Sequence, residues 1–228
     1  MGKNDNGNNG RTELVFVVDR SGSMGGLESD TIGGFNSMLS KQRTIAGERR
    51  VTTLLFDHRI ETLHNHLDIR EVNDLTSRDY WVRGSTALLD AIGLAIDRMI
   101  VTQRHTAAAY RAQHVLFVII TDGYENASRR YSLHQIKQMI TYERERYHWE
   151  FVFLGANIDA EQTAGDFGIS PRCATDFHAD GQGIKASFEA VACAATAVRG
   201  GADLDDLSAP DFLGGVRDDY RSRRRMKR

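Results

Sequence analysis

The run Leu14-Val15-Phe16-Val17-Val18-Asp19-Arg20-Ser21-Gly22-Ser23 decides the fold. Its apolar residues show no polar alternation, which suits a strand covered on both faces, the central strand of a parallel sheet. The run ends on a carboxylate and passes into a hydroxyl- and glycine-containing turn. Outward from it, residues 27–45 place Leu27, Ile32, Phe35, Met38 and Leu39 at helical spacing. Residues 50–56 read as a second strand. Residues 60–66 alternate Ile60, Thr62, His64 and His66 against Glu61, Leu63 and Asn65. With only Asp57-His58-Arg59 between, this predicts a hairpin and an antiparallel edge strand. Residues 87–101 carry Leu88, Ala91, Ile92, Ala95, Ile96 and Met99 in one helical stripe. Residues 114–121 form another nearly all-apolar strand. Ser132 caps a helix whose apolar face is Leu133, Ile136, Met139 and Ile140. A strand at 150–155, a short helix at 158–167 closed by Gly168, a weaker strand at 173–177 and an Ala-rich helix at 184–198 complete the pattern. Strands alternating with helices in this way predict an α/β sandwich, doubly wound, with a mostly parallel sheet and helices on both faces.

Composition agrees with one globular domain. The chain has 228 residues, 41% apolar and 26% charged, which excludes collagen-like, disulfide-rich and wholly disordered classes. No apolar run is long enough to cross a bilayer, and no secretory signal is visible near Met1. The two cysteines, Cys173 and Cys193, form no metal-type pair, so the expected setting is reducing and cytoplasmic. Residues 1–11 read as a flexible polar leader and 12–200 as the domain. Residues 201–228, acidic and then basic, read as a poorly ordered tail with no element of its own. The formal net charge of −2 hides six basic side chains among the last eight residues, so the body is acidic and a broad nucleic-acid-binding surface is not expected. The tail itself can touch phosphates or an acidic partner.

The chemistry concentrates at the carboxyl ends of two strands, where open parallel sheets bind ligands. One ends Val18-Asp19, followed by Ser21, Gly22 and Ser23; the other ends Thr121-Asp122-Gly123. A third oxygen-rich segment, Gly84-Ser85-Thr86, leads into a helix. In an extended segment Asp19, Ser21 and Ser23 point the same way, with Gly22 permitting a sharp turn. Two carboxylates and three hydroxyls make a hard, all-oxygen site suited to Mg²⁺, Mn²⁺ or Ca²⁺ and not to Zn²⁺.

These motifs resemble the von Willebrand factor type A domain. Asp19-Arg20-Ser21-Gly22-Ser23-Met24 matches the DxSxS signature of that family's metal-ion-dependent adhesion site. The stretch from Gly84 to Ala91 is similar to the segment that supplies the site's threonine, Thr86. Thr121-Asp122-Gly123 is similar to the segment that supplies its last aspartate. The resemblance, to standalone bacterial members, runs over residues 12–198. It implies a six-stranded, Rossmann-like sheet with one antiparallel edge strand, and a cation held by Asp19, Ser21, Ser23, Thr86 and Asp122. It further implies a protein partner whose Asp or Glu carboxylate completes the coordination, with recognition and not catalysis as the chemistry. Gly22, Met24, Ser85, Gly123, Tyr124 and Glu125 would form the partner-binding rim, with Trp81 as a further aromatic contact. The expected product is a monomeric cytoplasmic adaptor using Mg²⁺.

Two readings compete. An Asp after a central strand beside a metal can serve phosphoryl chemistry, yet no Gly-rich loop with a Lys is present. The tail offers a separate contact with nucleic acid. Elsewhere, His58, His64 and His66 cluster near the hairpin, with His64 and His66 on one strand face but no third ligand. Cys193 reads as a small buried residue, Arg20 as a solvated charge beside Asp19, and Asp90 as a first-turn helix carboxylate.

Overall fold

The computed structural model describes residues 10–226. Its sheet has six strands in the order β3-β2-β1-β4-β5-β6. They are β1 (Thr12–Asp19), β2 (Arg49–Phe56), β3 (Ile60–Asp68), β4 (His114–Thr121), β5 (Glu150–Gly155) and β6 (Ala174–Asp176). All neighbours run parallel except β2 and β3, the predicted hairpin at the edge. The continuous apolar runs are buried along their whole length: Leu14 to Val18 and Leu116 to Ile120 are each fully enclosed. Covering the sheet are α1 (Glu28–Arg43), α2 (Leu88–His105), α3 (Leu133–Tyr147), α4 (Ala160–Asp166), α5 (Gly181–Arg199) and α6 (Gly214–Met226). Helices α1 and α5 pack together on one face, where Phe35 sits edge-on to both Phe16 and Phe188. Helices α2 and α3 pack together on the other face.

Strand order determines where a ligand can sit. The chain leaves β1 for β2 and β3 on one side, then returns to place β4 on the other side of β1. The two crossovers diverge at β1 and β4, so a crevice opens beyond their carboxyl ends. Asp19 closes β1 and Asp122 follows β4, one at each lip of that crevice.

Three expectations are corrected. Residues 201–228 are not a structureless tail as far as they are described. Leu204, Phe212, Leu213 and Val216 are buried, and α6 packs on α5 and β6. Arg217 donates to the backbone carbonyls of Pro171, Arg172 and Ala174, and the ring of Tyr220 lies 4.7 Å from that of His178. His64 and His66 do not share a face, because the β2–β3 register shifts between them. His64 is buried beside Phe35 and bonds Thr53, whereas His66, at φ 54°, meets Glu13, on the opposite side of β1 from Phe16. Cys193 is exposed, while Cys173 is buried and donates to Asp205. Most of the expected leader, residues 1–9, lies outside the described residues.

Candidate functional site

Three segments meet at the crevice. After β1 the backbone makes a single 3₁₀ turn, Gly22–Met24. The Ser21 amide donates to Asp19 Oδ1 at 2.7 Å, and the Thr121 hydroxyl donates to Asp19 Oδ2 at 2.6 Å. Both Asp19 oxygens are thereby held, and the side chain is fully buried. The turn brings the Ser21 and Ser23 hydroxyls to 3.0 Å, and Ser23 donates to Asp122 Oδ1 at 2.5 Å. Thr86 joins the same cluster: a side chain on Gly123 would meet the Ser23 hydroxyl at 3.2 Å and the Thr86 hydroxyl at 3.6 Å. All five sequence-predicted ligand residues therefore converge.

Backbone bonds stitch the segments together. The Gly22 amide donates to the Gly84 carbonyl at 3.1 Å, and the Arg83 amide to the Arg20 carbonyl at 3.0 Å. The Asn126 amide donates to the Thr86 carbonyl, and its side-chain carbonyl accepts from the Thr86 amide. Tyr80, itself buried, donates its hydroxyl to the Asp19 carbonyl at 2.5 Å.

The electrostatics of the cluster are unbalanced. Burial pushes the Asp19 carboxyl up to about 6; the hydrogen bonds from Thr121 and Ser21 oppose this, and the Asp122 charge adds to it. Burial also raises Asp122, against the bond from Ser23. Asp122 Oδ2 is buried and has no hydrogen-bond partner. An orphaned carboxylate oxygen in an enclosed site costs free energy unless something positive or protic faces it. Among the described residues no three His, Cys, Asp or Glu side chains come together as a metal-binding group; this cluster is two carboxylates and three hydroxyls.

The rim is narrower than the sequence suggested. Gly22, Ser23, Ser85 and Tyr124 are exposed, and Gly123 is half-buried. Met24 is corrected to a core residue: it is fully buried beneath the turn. Glu125 is corrected to an internal tie, because its carboxylate accepts from the amides of Leu89, Ala127 and Ser128 and from the Ser128 hydroxyl. Asp90 does similar work, accepting from the amides of Arg129, Arg130 and Tyr131.

A neighbouring ion cluster escaped the sequence reading. Arg20 is completely buried, not solvated, and donates to Asp57 at 3.2 Å and to Glu61 at 2.7 Å. Arg83 donates to the same Asp57 at 2.8 Å. Burial alone would raise the Asp57 carboxyl, but the bonds from Arg83 and the Arg59 amide and the charges of Arg83 and Arg20 outweigh it and hold it low. Trp81 lies against this cluster, its ring centre 4.2 Å from the Arg83 guanidinium and 5.6 Å from that of Arg20. The available signal was register: Asp19 pairs with Phe56 across parallel strands, which sets Arg20 beside Asp57.

No known family and no curated protein matches this sequence. Solved structures do match. Proximal thread matrix protein 1 from the mussel byssus is 15% identical over 81% of this chain and 46% of its own, with a TM-score of 0.55. A von Willebrand factor type A protein from Catenulispora acidiphila is 10% identical over 80% of this chain and 42% of its own, with a TM-score of 0.53. The fold is of the von Willebrand factor type A kind. A D319A mutant of the PilB minor pilin from Streptococcus sanguinis, 12% identical, shares it over 88% of this chain and 64% of its own, with a TM-score of 0.53. The chain spans under half the length of the byssus protein and of the Catenulispora type A protein. At these identities the likeness is one of fold, and the site rests on this chain's own residues.

Proposed function

We propose that this chain is a divalent-cation-dependent protein-interaction module, with Asp19, Ser21, Ser23, Thr86 and Asp122 holding Mg²⁺, and Mn²⁺ or Ca²⁺ as substitutes. The observation that carries this reading is the orphaned Asp122 Oδ2, buried beside Asp19, Ser21 and Ser23, whose side-chain oxygens are engaged. The donor chemistry fits a hard dication: all oxygen, two negative charges, and hydroxyls that can turn a lone pair inward. When bound, such an ion would offer a partner's carboxylate a Lewis-acidic coordination position.

The chain's own part is to hold the donors ready. Asp19 is fixed by Ser21 and Thr121, and its carbonyl by Tyr80. Gly123, lacking a side chain, keeps the space beside Ser23 and Thr86 open. Exposed Gly22, Ser85 and Tyr124 surround the mouth and meet the partner. Recognition is favoured over phosphoester hydrolysis because both Asp19 oxygens accept internal hydrogen bonds and the side chain is fully buried, which hinders its in-line attack on phosphorus. An adaptor in a reducing, cytoplasmic setting is supported by two unpaired cysteines, one of them exposed.

The test is thermal unfolding with Mg²⁺ and with chelator. A ligand at a hundred times its Kd stabilises by about 2.7 kcal/mol, which for a domain of this size raises Tm by about 5–10 °C. Asp122→Asn, which keeps shape but removes charge, should abolish the shift. An undiminished shift in that variant would place the cation elsewhere. Mg²⁺-dependent turnover of p-nitrophenyl phosphate, lost in Asp19→Asn, would replace the recognition reading with an enzymatic one.

A further inference from the structure

Beside the cluster lies a second concavity of about 490 Å³, which shares Ser85 with the rim and has Asn126 in its lining. Its other lining residues include His58, Arg59, Arg129 and Asp90. The cations here differ from most others nearby. Arg20 and Arg83 are paired with Asp57, and Arg20 with Glu61 as well. Arg59 and Arg129 are exposed, and among the described residues neither side chain makes an ion pair or a hydrogen bond. The one carboxylate in the groove, Asp90, is already committed to three backbone amides. His58, half-exposed at the same wall, is already turned to Asp57, with its Nδ1 3.0 Å from that carboxylate. The groove is therefore a cationic pocket in a body of net negative charge, one residue removed in sequence from Thr86.

We propose that this groove reads a second acidic side chain on the same partner segment, so that the partner is an acidic peptide stretch and not a lone carboxylate. The proposal rests on the cation-dependent reading of the neighbouring cluster. Charge complementarity selects the occupant: free guanidiniums favour carboxylates through paired N–H donors. In an extended peptide alternate residues face one way, so acids spaced by two can address the cluster and the groove together. A strictly uniform acidic patch is not required, since only two positions are read.

Two labelled peptides of Gly and Ser test this on the full chain by fluorescence anisotropy with Mg²⁺. One carries a single Asp; the other, the multi-acid peptide, carries that Asp and one Glu two residues further on. The multi-acid peptide should bind about five- to tenfold tighter, as expected for two partly exposed ion pairs. In the double variant Arg59→Gln with Arg129→Gln the advantage should fall to less than about twofold. The single-acid peptide and the Mg²⁺ thermal shift should stay as in the parent. A preference that survives the double variant, equal binding of the two peptides, or competition by inorganic phosphate without any peptide preference overturns the groove assignment. Loss of all peptide binding while the Mg²⁺ shift persists also overturns the groove assignment alone. Absence of the Mg²⁺ shift in the parent chain overturns the underlying cation reading as well.

Discussion

At the residue scale, carboxylates in this protein are set apart by what surrounds them. Asp57 is buried and held low by two arginines, whereas Glu150, at the start of β5, is pushed by burial up to about 7, with Asp203 adding to the rise and Arg144 opposing it. Because the folded value exceeds the ordinary 4.5, Glu150 favours the folded state most below about pH 4.5. That contribution is lost as pH rises through about 7, a difference of about 3 kcal/mol. Glu150→Gln should therefore flatten the fall in stability between acid and neutral pH, measured as urea midpoints across that range. Gly84 is a second decisive position. It has φ +67°, and a Cβ there would stand 2.1 Å from His58 Nδ1. Gly84→Ala should cost about 1–3 kcal/mol and weaken the Mg²⁺ shift, because Gly84 also anchors Gly22. Asp19, Ser21, Ser23, Thr86 and Asp122 were all legible in the sequence because their motifs sit at strand and helix ends. Tyr80 and Asp57 were not, because neither stands in a motif of its own and their partners lie 61 and 37 residues away along the chain. Met24 misled because a methionine in a turn reads as surface until the turn is seen folding back on the core.

At the element scale, the strands declared themselves through unbroken apolar runs, and the hairpin through its short turn. The helices α1, α2, α3 and α5 followed from apolar spacing. Helix α6 did not, since among its described residues only Val216 is a buried apolar side chain, and much of its docking is through arginines. Arg223 bridges Asp180 on the loop before α5 and Asp219 within α6. Hydrophobic periodicity is blind to a helix attached by guanidinium groups. Its buried footing still matters: Leu213→Ala should lower stability by about 2–4 kcal/mol, seen as a reduced urea midpoint with an unchanged Mg²⁺ shift. A cooperative loss of the Mg²⁺ shift in that variant would mean that α6 and the crevice are coupled.

At the scale of the whole molecule, the place of the candidate site follows from strand order. Reversal at β1 and β4 places two carboxylates, from chain positions a hundred residues apart, at one crevice without distortion of either strand. The stitching among the three segments uses backbone bonds that need no ion. The site is thus largely preorganised, and adding or removing Mg²⁺ should change stability with little change in far-ultraviolet circular dichroism. A large gain in helix signal on adding Mg²⁺ would show that the segments are not assembled beforehand. The two tryptophans extend this to measurement. Trp149 is enclosed and stacked on Phe117, while Trp81 is 44% exposed and leans on the arginines that brace the loop to Thr86. The chain therefore carries its own optical probe: the red-shifted part of its intrinsic emission comes from Trp81, and quenching or a blue shift of that part alone would report, without any label, when a partner covers the mouth of the crevice.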